Sequence, residues 1–544
     1  MSEPTSNHDS AGHRLHNVAE LMHLNAQRYP DHEAFEASDG RGSHVSSRQF
    51  ASQVAHLGQG LITSGVNAGE RVLIMAPPSY EWTLTDFALL GIGAISVPVY
   101  ETSSPMQICW IIRNSGARHA VVQGSREATL VREAAEGSEI KVWVIAHSAI
   151  SHLSDGSQAT REDYFSGLRS TDPEDVATIM YTSGTAGRPK GVTLTHRNLR
   201  ENLSGFLDTL DDLFQPSGVT TLYLSLAHIF SRTMQWASVI NRVRIAYVPS
   251  VDQLPRALRT ARPTFLPAIP RTLEKLHHEA GSVSDALGGR CTSLIVGGAP
   301  LADDVAEGFQ RAGVTVFEGY GLTETGGPAT MNGPRRMKRR TCGRPLSGVT
   351  VRLADDGEIF VKGACVFTGY WRDPAATAKA LTDGWLRTGD IGDVDDQGYL
   401  RIIGRKRELI ITSGGKNVDY RLLEERLRSH PLVSNAIVLG DRRPFVACLV
   451  TVDTATWRKR RDILSTQAAP DAISDDPLLR DEIQAAVTYA NEAVSRAESI
   501  RAFRILANEF STASGELTPS YKLSRQTIAE LRSREIDSIY QSNG

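Results

Sequence analysis

From residue 176 the chain reads Val176-Ala177-Thr178-Ile179-Met180-Tyr181-Thr182-Ser183-Gly184-Thr185-Ala186-Gly187-Arg188-Pro189-Lys190-Gly191. The first five residues are β-branched or apolar and read as a strand. The rest cannot continue it. Gly184, Gly187 and Gly191 let the backbone approach an anion closely, Thr182, Ser183 and Thr185 add hydroxyl donors, and Lys190 sets a cation at the end. The run reads as an anion-binding loop after a strand. It is not a Walker loop, because its spacing differs and no Ser or Thr follows the lysine.

On either side of this loop, short β-rich runs alternate with helical patterns. Arg71–Met75, Ala94–Val99, His119–Val122 and Ser293–Val296 are examples. Such alternation predicts an α/β body with mainly parallel sheets. Near 345 the pattern changes: Val349–Leu353 and Gly357–Val361 read as antiparallel strands around Asp355-Asp356-Gly357, a small barrel-like β part. Beyond Gly404 lies a smaller α+β region with strands at Ala436–Leu439 and Val446–Val450. There Pro477–Ala497 predicts a helix with Leu479, Ile483, Val487, Ala490 and Val494 near one face. The expected layout is a flexible tail at 1–14, a large body at 15–404 and a small mobile domain at 405–544.

The 544 residues carry 59 Lys+Arg against 62 Asp+Glu, a formal net charge of −3, which gives no global pull toward nucleic acid. A hydrophobic share of 41% excludes disorder as the dominant state. The five cysteines are scattered without Cys-x-x-Cys or zinc spacing, which argues against a disulfide scaffold and fits a reducing cytoplasm. The polar first residues lack the apolar core of a secretory signal, and Phe87–Tyr100 is too short and too broken by Gly and Pro to span a bilayer. Peripheral contact with a membrane surface stays open, and so does the oligomeric state.

The 181–191 loop resembles the phosphate loop of the adenylate-forming superfamily, which includes acyl-CoA synthetases, peptide-synthetase adenylation domains and firefly luciferase. Further motifs follow in that family's order, from about 180 to 525. Glu318-Gly319-Tyr320-Gly321-Leu322-Thr323-Glu324-Thr325 is similar to its adenine and magnesium motif. The resemblance implies that Tyr320 stacks on adenine, Thr323 donates to the α-phosphate and Glu324 binds Mg²⁺. A hard carboxylate suits an ion that bridges ATP phosphates. Gly298-Ala299-Pro300, after Gly297, resembles the turn along the adenine. Trp385-Leu386-Arg387-Thr388-Gly389-Asp390 resembles the ribose motif, with Asp390 accepting from both ribose hydroxyls. Gly404-Arg405-Lys406-Arg407-Glu408-Leu409 resembles the junction motif. There Arg405 contacts ribose or phosphate, and position 407, usually Asp or Lys but here Arg407, is the hinge. Glu516-Leu517-Thr518-Pro519-Ser520-Tyr521-Lys522 resembles the loop of the catalytic lysine. Thr185, Lys190, Glu324 and Lys522 are thus the implied catalytic set, with Thr182, Ser183, Gly184 and Gly187 around the phosphates. Ala186 stands where many relatives have Thr. Gly414, Gly415 and Lys416 lie in the segment implied to face CoA after the hinge rotates.

The implied reaction joins a carboxylate to ATP as acyl-AMP, releasing pyrophosphate, and then passes the acyl group to a thiol. Amino-acid-activating relatives carry an aspartate in the segment here reading Leu226–Trp236, which has no acidic residue. An unpaired buried ammonium is costly, so amino acids are disfavoured. Ala227-His228-Ile229-Phe230-Ser231-Arg232 and Glu516-Leu517-Thr518-Pro519 resemble the long-chain fatty acyl-CoA synthetase branch. For His228 two readings stand: a gate of the acyl tunnel, or a packed, hydrogen-bonded histidine. Carrier-protein-loading acyl-AMP ligases usually carry an insertion before the ribose motif, and none is visible between Tyr370 and Trp385. Fatty acid, ATP and CoA are therefore the expected substrates. A ligase loading a carrier protein and a non-catalytic nucleotide- or lipid-binding protein are the alternatives. Arg335–Arg340, Arg458–Arg461 and the pair Arg442, Arg443 could meet CoA phosphates or lipid headgroups, or form ordinary solvated faces.

Overall fold

The computed structural model describes residues 17–541 except 37–43, 136, 138, 156–170, 183–188, 280–281, 300, 407–409, 412–416, 419, 465–472, 497 and 520. Its largest sheet has seven strands, in the order Gly369–Tyr370, Lys190–Thr195, Val176–Thr182, Ile95–Pro98, Arg71–Met75, His119–Val122 and Lys141–Val144. The pairings from 176–182 outward to 141–144 are parallel, and those of 190–195 with its two neighbours are antiparallel. Strands 71–75, 95–98 and 119–122 are buried almost throughout, as expected where helices cover both faces of a parallel sheet.

A second sheet orders Phe265–Ala268, Ser293–Val296, Thr315–Leu322, Gly327–Met331 and Arg344–Pro345, parallel for its first three strands and antiparallel after. A third joins His44–Ser46, Glu33–Glu36, Arg244–Tyr247 and Val219–Leu222. Both are mixed: parallel strands arise from βαβ crossovers, and short hairpins add the antiparallel edges. The hairpin expected near 350 is present, Val349–Leu353 pairing antiparallel with Glu358–Gly363. Trp385–Val394 lies beside it and also pairs with Leu400–Arg405.

Apolar clusters divide along the chain. Three draw on residues between Val18 and Leu400, and two contain only residues from Ile410 onward. The second group packs the sheet Val433–Leu439, Val446–Val452, Ile500–Ile505. The expected helix from 477 ends at Asn491, short of Val494. The Asn491 side chain donates to the Ile500 carbonyl (2.9 Å) and accepts from the Ile500 N–H (2.8 Å), so it serves the neighbouring strand rather than a further helical turn. Val494 still packs against the cluster from the turn that follows.

Candidate active site

A cleft of about 3570 Å³ opens where the 410–541 region meets the body. Thr182, Lys190, His228, Gly298, Ala299, Glu318, Gly319, Tyr320, Gly321, Thr323, Glu324, Asp390, Arg405 and Lys522, predicted from motifs far apart in sequence, all line it. Ser183, Gly184, Thr185, Gly187, Pro300, Arg407, Gly414, Gly415 and Lys416 fall outside the described residues.

The nucleotide side is built by a strand that changes partner. Thr315 to Glu318 run parallel with Ser293–Val296, whose end delivers Gly297 and Gly298 to the cleft. From Gly319 the same strand pairs antiparallel with Gly327–Met331. Gly298 has φ +88, a conformation that suits glycine. At Gly321 a Cβ would stand 2.2 Å from the Gly327 carbonyl oxygen, so a side chain there would force the two strands apart. Burial, with help from Asp303, pushes the Glu318 carboxyl up to about 7.

Register brings the ribose and junction motifs together. Asp390 and Arg405 are cross-strand partners, with Arg405 Nε 3.1 Å from Asp390 Oδ1. The Tyr320 hydroxyl donates to Asp390 Oδ2 at 2.7 Å. Asp390 is thus a nearly buried carboxylate (3% exposed) with one partner on each oxygen. At the phosphate end, Lys190 Nζ lies 4.9 Å from the centre of the Tyr370 ring, and the Tyr370 hydroxyl donates to Glu324 Oε1 at 2.7 Å. Burial and the Glu324 charge raise the Tyr370 phenol, which keeps it a donor. As a hard carboxylate held by the Tyr370 hydroxyl, Glu324 has the chemistry that suits an ion of the Mg²⁺ kind, which takes most of its ligands from phosphates and water.

Lys522 reaches this site from a tight hairpin. The Thr518 N–H donates to the Lys522 carbonyl (2.7 Å), the Tyr521 N–H to the Thr518 carbonyl (2.8 Å), and Leu517 bridges to Leu523. A Cβ at Gly298 would stand 4.0 Å from Lys522 Nζ. The ammonium is accessible from the cleft yet flanked by protein. Burial, then the Arg405 charge, bring its pKa down to about 8 against the pull of Asp390. His228 Nδ1 accepts the Phe230 N–H at 3.2 Å and caps the helix Ile229–Ile240, while its ring stays on the cleft wall. Burial and the Lys522 charge lower it to about 3, so the ring is neutral.

Two features escaped the motifs. Tyr370, which holds Glu324, appeared only as a frame for a missing insertion. Arg232 lies in the interior: its Nη2 is 2.5 Å from Asp86 Oδ1, both side chains fully buried, Ser96 and Thr178 also accept from the guanidinium, and Gln235 and Trp236 donate to Asp86 Oδ2. No sequence signal ties Asp86 to Arg232, because helix packing alone joins them. The basic runs are engaged within the chain. Arg335 pairs with Asp211, Lys338 with Asp395 (2.6 Å), Arg339 with Glu307 (2.6 Å) and Arg340 with Asp303 (2.7 Å). Arg460, Arg461 and Arg443 pair with Glu482, Asp476 and Asp537. Arg340 and Arg443 also line the cleft.

Comparison with known proteins matches residues 22–371 to the AMP-binding enzyme model and 407–544 to the AMP-binding enzyme C-terminal domain. The chain belongs to the AMP-binding enzyme family. Among its relatives in that family, the long-chain-fatty-acid–CoA ligase FadD15 of Mycobacterium tuberculosis is 37% identical, covering 96% of this chain and 97% of its own. The long-chain-fatty-acid–CoA ligase ACSBG2 of Xenopus laevis is 27% identical over 97% of this chain and 84% of its own. The AMP-binding enzyme fold is shared with the anthranilate CoA ligase AuaEII in complex with anthranoyl-AMP (TM-score 0.78, 19% identity, 96% and 97% coverage). It is shared too with O-succinylbenzoate coenzyme A synthetase (MenE) from Bacillus subtilis in complex with ATP and magnesium ion (TM-score 0.72, 22% identity, 93% and 98% coverage).

Proposed function

We propose that this AMP-binding enzyme is an AMP-forming long-chain fatty acid–CoA ligase. The convergence of Lys522 with the Asp390–Arg405 pair and Lys190 in one cleft carries the reading, since three cations and a nearly buried carboxylate in one cleft suit a nucleotide and an acyl phosphate. Full-length similarity to long-chain-fatty-acid–CoA ligases supports the acid and the acceptor. Against a carrier-protein ligase, the chain between Tyr370 and Trp385 holds only the short helix Pro374–Ala380 and the strand Leu381–Thr382.

In the first step a carboxylate oxygen of the fatty acid bonds to the α-phosphorus while the bond to pyrophosphate breaks. Asp390 holds the ribose, Lys190 faces the phosphates, and Lys522 offsets the charge that grows between carboxylate and α-phosphate. Glu324, steadied by Tyr370, would hold Mg²⁺, which neutralises phosphate charge when bound. The CoA thiol then bonds to the acyl carbon and AMP leaves. Neutral His228 lies beside Lys522 without adding a second positive charge to the acyl end. The small domain, from 405, turns about Arg407 between the steps and brings Gly414, Gly415 and Lys416 toward CoA. None of the five cysteines is joined in a disulfide. Among the described residues no helix is long and apolar enough to cross a membrane.

Acid-dependent ATP–pyrophosphate exchange over a chain-length panel tests this, followed by AMP release with and without CoA. Exchange with long-chain acids and CoA-stimulated release are expected. Exchange without CoA stimulation would move the assignment to a carrier-protein ligase, and no exchange with any acid would overturn it.

A further inference from the structure

The turn after the strand Ile95–Pro98 is stiff at both ends. The Val99 N–H donates to the Ile74 carbonyl (2.9 Å) and the Ser103 N–H to the Tyr100 carbonyl (3.0 Å). Ser104 opens the helix Pro105–Ser115 with a capping box shared with Gln107. Between these anchors sits Thr102, whose hydroxyl donates to the Pro519 carbonyl at 2.7 Å, across 417 residues of sequence. Pro519 is in the hairpin that carries Lys522, and lacking an N–H it offers this carbonyl as its one backbone hydrogen-bonding group. A single hydroxyl thus ties the body of the protein to the loop that brings the lysine into the cleft. Thr102 and Pro519 line that cleft themselves.

We infer that Thr102 is a positioning residue for adenylation: its hydroxyl latches the Lys522 hairpin over the cleft in the first half-reaction and lets go for the second. The inference rests on the reading of Lys522 given above. The bond is neutral and between partly exposed partners, so it biases the domain arrangement without locking it, as a contact broken at every turnover must. Its bond is to the lysine's hairpin, so it acts through the lysine, and its loss falls on kcat of adenylation rather than on ATP affinity.

The test separates the half-reactions in the full-length enzyme. Thr102→Val keeps the shape and removes the donor, Thr102→Ala removes the donor without the extra methyl, and Thr102→Ser restores the hydroxyl. In acid-dependent ATP–pyrophosphate exchange, kcat should fall about three- to tenfold in the Val and Ala variants, with KM for ATP nearly unchanged, and the Ser variant should return most of the rate. Formation of acyl-CoA from purified acyl-AMP and CoA should be undiminished in all three. Equal slowing of both half-reactions, or failure of Ser to rescue, would make Thr102 merely structural and overturn the latch. Lys522→Ala separates the two levels of the argument. If that variant loses exchange while Thr102→Val and Thr102→Ala exchange at the wild-type rate, the latch alone is wrong. If Lys522→Ala exchanges normally, the role of the lysine fails and the latch with it.

Discussion

Asp390→Ala is the perturbation that probes the nucleotide site most directly. A carboxylate has about four acceptor positions, two on each oxygen. Arg405 Nε lies against Oδ1 and the Tyr320 hydroxyl donates to Oδ2, so acceptor capacity for one further donor is left on each oxygen of this cleft-lining residue. Two hydroxyls of a ribose match those two positions. Each hydrogen bond to a charged acceptor is worth about 1.5–3 kcal/mol, so losing both costs about 3–6 kcal/mol, or about 10²- to 10⁴-fold in kcat/KM for ATP. The fold should survive, because the Arg405 side chain is 44% exposed and can turn to water when its partner goes. The assay is ATP–pyrophosphate exchange with ATP and with 2′-deoxyATP. Wild type should prefer ATP by about ten- to 150-fold, the value of one such bond, and Asp390→Ala should show almost no preference. A variant that still favours ATP by the wild-type factor would refute the ribose assignment, whatever its absolute rate.

Burial in the cleft walls and the Arg405 charge bring the Lys522 ammonium down to about 8, so if it is the cation of the proposed mechanism, kcat/KM for ATP should be level below about pH 8 and fall about tenfold per unit above it. Lys522→Arg, if active, should carry that limb out of range, and an unmoved limb would assign it to another group. Asp86→Ala leaves the fully buried Arg232 cation without its carboxylate, and urea titration should register a loss of about 3–5 kcal/mol; a loss below about 1 kcal/mol would mean that water or a neighbour already compensates. Arg339→Gln and Arg340→Gln break exposed pairs with Glu307 and Asp303, so KM for CoA should stay within about twofold of wild type. A rise of about tenfold would restore these arginines as contacts for the CoA phosphates.

Much of the candidate site was legible because its chemistry sits in short, contiguous runs. The hydroxyls and glycines after strand 176–182 announce an anion-binding loop by composition, and Gly321 holds a backbone position where a Cβ would stand 2.2 Å from the Gly327 carbonyl oxygen. The parallel centre of the large sheet followed from apolar runs separated by helical patterns, since strands covered on both faces need no polar alternation. The antiparallel margins followed less well, because a hairpin edge on a parallel sheet leaves no periodicity of its own. Helix 477–491 stops where Asn491 finds the backbone of Ile500, a partner nine residues away that heptad-like spacing cannot reveal.

By itself, the sequence showed an anion-binding loop, and its resemblance to the adenylate-forming superfamily implied the adenine, carboxylate, ribose, junction and lysine motifs in that order. Those parts depend on residue type and local spacing, which are properties of the chain. Tertiary structure alone decided which of them meet. Register across one hairpin aligns Asp390 with Arg405, packing in the interior buries Asp86 against Arg232, and the seating of the 410–541 region on the body joins Thr102 to Pro519. Contacts between residues hundreds of positions apart are fixed by the burial of apolar faces, and many sequences bury those faces equally well, so no short motif records them.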